Sequence, residues 1–299
     1  MEHRLWPRLY DLVVALGKTH RRGGNGYSDA AVVVVFLWAV LHDRPTTWAL
    51  DRDNWPAAER WQWDRLPSDA TMSRRLRTIG VLTLMEQVEA KVRDVFPRGL
   101  MKMIDAKPLP VGGATKDPDA DCGRGASGKA VGYKIHVAWD ANRVVDVWQL
   151  APMSTNEKAV APALIGRLEA FAYAVADNQY DGNPTFDLVA ARGGQLIVCR
   201  RTKVPAGLGH RKQSPHRLRG LDLARNPLGC CGGPATSFGQ DLLHGRDDVE
   251  RCFAALGNFG GGLGPLPNWV RRPRRVARWV WGKLLIYHVR LAVKQRLVA

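Results

Sequence analysis

From Gly99 onward the chain breaks into short apolar runs that close on aspartates, and this order constrains the fold more than any other feature. Leu100–Ile104 ends at Asp105, Gly132–Trp139 alternates and ends at Asp140, and Arg143–Leu150 is a third strand candidate. A helix over Glu157–Glu169, with Val160, Leu164 and Leu168 on one face, precedes a short strand Phe171–Ala176 that ends at Asp177. Three strands, a helix and a fourth strand predict an α/β sheet that begins antiparallel and continues through a parallel crossover. A helix near Pro184–Arg192 and a strand Gln195–Cys199 extend the pattern. The intervening Lys107–Gly128, rich in Gly, Pro and Asp, is expected to be a mobile loop.

Residues 1–98 have a different texture and are expected to form a helical N-terminal domain. Ser28 and Asp29 cap an apolar run through Val40, too short to span a bilayer and therefore a buried helix. Pro67–Arg77 reads as a short capped helix bearing Arg74, Arg75 and Arg77, and Leu82, Met85, Val88, Val92 and Phe96 mark a second helix after Gly80. The pair fits a helix-turn-helix unit that recognises DNA or mediates assembly, and equally a helical hairpin with a solvated basic face. Trp48, Trp55, Trp61 and Trp63 between these helices suit a core as well as base stacking. Residues 99–299 are then expected to form the second domain, with a basic insertion at about 200–240 and a basic helical tail at about 269–299.

The charge is concentrated rather than spread. Arg192–Arg225 holds nine Lys and Arg against one acid, and Asn268–Ala299 nine against none, so these two stretches account for the formal net charge of +16. Such clustering is the electrostatic footprint of a phosphate-backbone partner, though solubility or an anionic membrane surface would use the same residues. Arg200, Arg201, Lys203, Arg211 and Lys212 in the insertion, and Arg271, Arg272, Arg274 and Arg275 in the tail, are the expected DNA contacts. The tail carries an apolar side of Val276, Trp279, Val280, Leu284, Tyr287 and Leu291. With 45% hydrophobic residues among 299, the chain can bury a sizeable core. No cleavable apolar leader is evident, and the five cysteines show no C-x-x-C pair, so a reduced cytoplasmic protein without zinc or membrane contact is expected. Neither a Walker loop nor a Gly-x-Gly-x-x-Gly turn supports nucleotide chemistry.

Asp105 and Asp177 each end an apolar strand, and Glu250 opens a later amphipathic helix on which Arg246 sits one turn earlier and Val249, Phe253 and Leu256 form the apolar stripe. Three carboxylates gathered at one end of a sheet repel one another unless a cation lies between them, which is the logic of a magnesium site. Asp140 and Asp146 also border strands, and spacing alone does not exclude them. Arg246 and Glu250 read equally as a helix-surface ion pair.

At these residues the sequence resembles the bacterial insertion-sequence transposases that carry an Asp-Asp-Glu triad on a ribonuclease H-like fold. Ile104–Pro110 is similar to the family's first-acid motif, Gly132–His136 to its second-strand motif, and Val175–Asp181 to the block of the second acid. Arg246 and Glu250 match the spacing around the third, whereas Leu243 and Gly257 stand where relatives have tyrosine and lysine. The resemblance implies a ribonuclease H-like mixed sheet flanked by helices. It also implies cleavage at transposon ends and strand transfer, with Asp105, Asp177 and Glu250 as ligands of two Mg²⁺ ions, for which Mn²⁺ can substitute. Lys134, Arg251 and the basic segments are then expected on double-stranded DNA, in a homodimer or larger assembly at the bacterial nucleoid. A nuclease or resolvase of the same fold that does not join strands, and an inactive DNA-binding derivative, are the alternatives.

Overall fold

The computed structural model describes residues 2–17, 26–55, 65–112, 116–125, 128–198, 212–225 and 238–295. In chain order the elements are α1 (Glu2–Gly17), α2 (Asp29–Leu41), α3 (Asp69–Arg75), α4 (Ile79–Arg93), β1 (Met101–Pro110), β2 (Asp121–Gly125), β3 (Gly128–Asp140), β4 (Val145–Pro152), α5 (Glu157–Ile165), β5 (Tyr173–Ala176), α6 (Asn183–Ala191), β6 (Gln195–Val198), α7 (Pro215–Arg225), α8 (Phe238–His244), α9 (Asp247–Gly257) and α10 (Pro273–Lys294). Their contacts divide into two units, Met1–Pro97 with Leu256–Ala299, and Arg98–Ala255.

The helical unit is built around α2. Every residue from Ala30 to Leu41 is buried, so this helix is apolar all round and needs neighbours on every side. It finds them in α1, α4 and α10. The basic tail was expected to belong with the sheet; its helix α10 packs here instead, burying Val276, Trp279, Val280, Leu284 and Tyr287. Trp38 stacks on Trp55 at 5.0 Å and on Trp48 at 6.3 Å, which places these rings in the core; Trp61 and Trp63 lie outside the described residues. Arg75 is a strut, donating to the Tyr27 carbonyl at 2.8 Å and to Asp29 at 2.6 Å. Gly80 falls within α4 rather than in a turn. A Cβ there would come within 2.5 Å of the Asp29 carboxylate, so close approach to α2 is what requires glycine.

The second unit holds a six-stranded mixed sheet in the order β2-β3-β1-β5-β6, with β4 sharing the outer edge of β3. β1 and β3 are antiparallel, β1 runs parallel to β5 and β5 to β6, and helices flank the sheet, as in ribonuclease H-like folds. One face is covered by α5 and α6, whose Leu164, Ile165, Phe186 and Val189 close a core over Ile104, Ala138, Ala174 and Ala176. The expected loop after Asp105 is largely strand. β1 continues to Pro110 and β2 forms a hairpin with β3. Pro108 and Pro110 fit because, among the described residues, β1 pairs only with β3 beyond Ile104, and a strand with one open edge tolerates the missing amide hydrogen. Part of the basic insertion is likewise helical, since α7 packs on β6; at Gly220 a Cβ would lie 2.4 Å from the Leu196 carbonyl oxygen.

Candidate active site

The register of the central strands creates the site. Ile104 of β1 lies opposite Ala176 of β5, where β5 stops, so the next residues on the two strands, Asp105 and Asp177, are neighbours at the sheet's carboxyl-terminal edge. The crevice outside the ends of parallel strands is where α/β sheets bind ligands. Asp177 caps the turn Asn178–Tyr180, accepting the Gln179 amide at 3.0 Å, and Asp105 accepts the Ala106 amide at 2.8 Å. Strand alternation places Asp105 on the same face as Met103 and Lys107. That is the face α9 covers, for Phe253 meets Trp139, the partner of Met103, edge-on at 5.3 Å, and Lys107 lies 5.9 Å above the same ring.

Burial raises the Asp105 carboxyl to about 6, with Asp177 and Glu157 adding to the shift and the Ala106 amide and Arg246 opposing it. Asp177 is raised for the same first reason; the Gln179 amide, Arg246 and Lys134 work against the shift and Glu157 with it. The site is therefore two half-desolvated carboxylates with Arg246 as their shared counter-charge. Tyr180 is buried beside them, and its hydroxyl has no hydrogen-bond partner among the described residues. Burial and the carboxylates of Asp105, Glu157 and Asp177 hold its proton on.

Arg246 thus reaches the aspartates, but Glu250 is exposed on the first turn of α9 and is not among the charges bearing on either. Among the described residues no three His, Cys, Asp or Glu side chains gather closely enough to hold a metal ion. The acid that does bear on both aspartates is Glu157, which opens α5 behind the Asn156 cap and pairs with Lys134 at 2.7 Å. Its sequence signal was that of a helix start, an Asn followed by a first-turn acid. Nothing local pointed it at a strand 50 residues upstream. Lys134, expected on DNA, is held by this pair and sits with its side chain 14% exposed.

The strand-bordering acids Asp140 and Asp146 serve the other end of β1. Lys102 donates to Asp140 at 2.8 Å and reaches Asp146 at 3.2 Å, all three being buried. Burial pushes Asp140 up, but hydrogen bonds from Lys102, Asn142 and Gly99 prevail and hold it below the usual carboxylate range. Asp181 is bidentate with Arg217 of α7 at 2.7 and 2.8 Å. His136 is fully buried and pushed down to about 4 by burial, a neutral core histidine.

Of the expected DNA contacts, Arg74, Arg77, Lys212, Arg251, Arg272, Arg274 and Arg275 are exposed, Arg251 pairing with Asp248 at 2.7 Å and Arg77 donating to the Ser73 carbonyl at 2.8 Å. Arg75 and Arg271 are partly buried, Arg271 donating to the Asn268 carbonyl at 2.7 Å. Arg200, Arg201, Lys203 and Arg211 lie outside the described residues. Leu243 and Arg246 line a small cavity of about 350 Å³, and Gly257 ends α9.

In comparison with known proteins, the family model described as the transposase DDE domain matches residues 102–288, more than half of the chain. The match begins in β1 and ends in α10, so it includes the helix that packs with the N-terminal helices. No curated protein matches the chain.

Proposed function

The chain belongs to the transposase DDE-domain family, and from that premise we propose that it cleaves DNA at the ends of a mobile element and joins the freed 3′-hydroxyl to target DNA, using Asp105, Asp177 and Glu250. The observation that carries this reading is the β1–β5 register, which sets two carboxylates side by side at the open end of the sheet. Two oxygen donors raised by burial, Asp105 also by Asp177, suit a hard divalent cation, whose charge would offset their repulsion. Bound there, Mg²⁺ supplies charge that polarises the phosphodiester and the attacking oxygen, and a two-ion site fits the chemistry of in-line displacement.

The chain's own groups have separable tasks. Asp105 and Asp177 would hold the ions; Glu250, exposed on the first turn of α9 and not among the charges bearing on either aspartate, would have to be brought to them to complete the set. Arg246 keeps the two carboxylates ionised together and offers its guanidinium to a DNA phosphate. In cleavage, water attacks phosphorus, the bond to the 3′-oxygen breaks and that oxygen takes up a proton. In joining, the new 3′-hydroxyl gives up its proton as its oxygen attacks a target phosphodiester and displaces the target's own 3′-oxygen. Double-stranded DNA is the partner. No described helix is long and apolar enough to cross a membrane.

Glu157 supports a second reading for the third carboxylate, because its charge acts on both aspartates. Replacing Glu250 with Ala is expected to lower cleavage in Mg²⁺ by at least about 10³-fold, whereas Glu157→Gln should cost less than about tenfold. The reverse ranking, measured on a duplex carrying inverted repeats identified beside the coding region, assigns the third ligand to Glu157. Supplying a pre-cleaved 3′-hydroxyl end with plasmid target separates a transposase from a nuclease of the same fold, since only the former yields joined products.

A further inference from the structure

The helical unit contains a cavity of about 420 Å³ whose wall is cationic. Six arginines line it, among them Arg44 after α2, Arg77 after α3, and Arg272, Arg275 and Arg278 on or just before α10, against a single carboxylate, that of Asp69, which is exposed. Phe36, Trp269 and Trp279 complete the wall.

Several inner cations of this chain have partners, although the Nε of Arg246 is buried without one among the described residues. Lys102 has Asp140 and Asp146, Arg75 has Asp29 and the Tyr27 carbonyl, Arg217 has Asp181, and Lys283 has the Val40 carbonyl and Asp43. Arg278 departs from this pattern. Its Nε is buried with no hydrogen-bond partner among the described residues, and burial together with the charges of Arg77 and Arg275 works against its protonated form. A half-buried guanidinium surrounded by others costs stability unless something negative is present.

Two backbone features concentrate more positive potential at the same place. The 22-residue α10 begins here with no acid in its first turn and no side-chain cap, so its positive dipole end is left without internal compensation. Arg272, the residue preceding that helix, is held at φ 72°, a conformation costly for a residue with a Cβ and typical of ligand-binding positions. Guanidinium forks at a helix amino terminus match the oxygens of a phosphate group.

We propose that this cavity is a binding site for a phosphate group of the DNA backbone, with Arg278 at its floor and the partly exposed Trp269 against the adjoining sugar. The phosphate chemistry follows from the cavity itself; that the phosphate is DNA's rests on the reading of the chain as a transposase. The site is distinct from the carboxylate site and predicts that DNA binding through it survives when cleavage is lost.

The test uses the full-length chain and a fluorescent duplex titrated over a series of salt concentrations, alongside thermal melting with inorganic pyrophosphate. Arg278→Gln and Arg44→Gln are each expected to weaken DNA binding about tenfold at low salt and to reduce the slope of log affinity against log salt by about one. Lys91→Gln, an exposed charge removed from α4 in the same unit, should leave the slope within error of the parent. Pyrophosphate should raise the melting temperature of the parent and not of Arg278→Gln. Parental slope and parental pyrophosphate response in both arginine variants would overturn the site. A pyrophosphate response without any change in DNA slope would overturn DNA as the source of the phosphate. Absence of DNA binding by the parent chain would instead count against the transposase reading. Should Arg278→Gln fail to fold, the exposed Arg44→Gln decides the outcome alone.

Discussion

Asp105→Asn is expected to abolish strand cleavage, by at least about 10³-fold, while making the metal-free protein more stable at neutral pH. The chemical half follows from the loss of a charged oxygen donor next to Asp177. The stability half follows from the raised pKa. A carboxyl at about 6 in the folded protein holds its proton to higher pH than it does in the unfolded chain, so the fold loses stability as pH rises from about 4 through about 6. Asn removes that loss. Discounted for partial exposure, the gain at pH 7.5 is about 1–2 kcal/mol and shrinks toward zero near pH 4. Denaturant titrations at the two pH values measure it, and Mg²⁺ should stabilise the parent but not the variant. An Asn variant that cleaves normally, or is less stable at pH 7.5 than the parent, contradicts the assignment.

Lys102→Ala should have the opposite profile. It leaves Asp140 and Asp146, with side chains 7% and 4% exposed, as buried like charges without their shared cation. Removing one partner of a buried pair costs about 3–5 kcal/mol. That is a large part of the 5–15 kcal/mol typical of a domain, so the sheet unit should unfold at markedly lower temperature and urea concentration than in the parent. The pH dependence carries the sign. In the parent, Asp140 is held below its ordinary range, so its contribution is present at neutral pH and is lost only as pH falls through that lowered value. In the variant Asp140 loses the hydrogen bond and charge of Lys102 that hold it down while burial still pushes it up, so the deficit relative to the parent should narrow on acidification. Equal urea midpoints for the two proteins at pH 7 would show that the network contributes nothing. Acids at the two ends of β1 thus differ in kind. Burial works against the charge of Asp105, whereas the hydrogen bonds of Asp140 hold its charge and stabilise the fold.

That difference was not visible in the sequence, where Asp105, Asp140 and Asp146 all border apolar strands. Lys102, three residues before Asp105, carried no mark of its partners, because the pairing of β1 with β3 sets Asp140 opposite it 38 residues later and Asp146 follows on β4, the strand paired with β3. What could be read was what is local. Runs of alternating or continuous apolar residues identified the strands around Asp105 and Asp177, and the amphipathic period identified α9 with Val249 and Leu256 inside. The extension of β1 through Pro108 and Pro110 was hidden because prolines signal breaks, and the strand tolerates them only where β5 has ended. Helix α7 was hidden by the scattered Pro, Gly and basic residues of its segment, and by a close approach of Gly220 to β6 that only the folded chain reveals. The docking of α10 on α2 depended on the match between two apolar surfaces more than 200 residues apart. Glu157 was missed for the related reason that α5 brings it to the aspartates across the top of β3 and β1.

The central claim is that the paired strand-end aspartates work through a divalent ion to cut DNA. Its most direct test is cleavage of a duplex carrying inverted repeats identified beside the coding region by the parent chain, Asp105→Asn and Asp177→Asn, each in Mg²⁺, in Mn²⁺ and in EDTA. The account predicts 3′-hydroxyl products from the parent with either metal, none in EDTA, and none from either variant although both retain DNA binding. Cleavage that persists in EDTA, or in either aspartate variant, would contradict it.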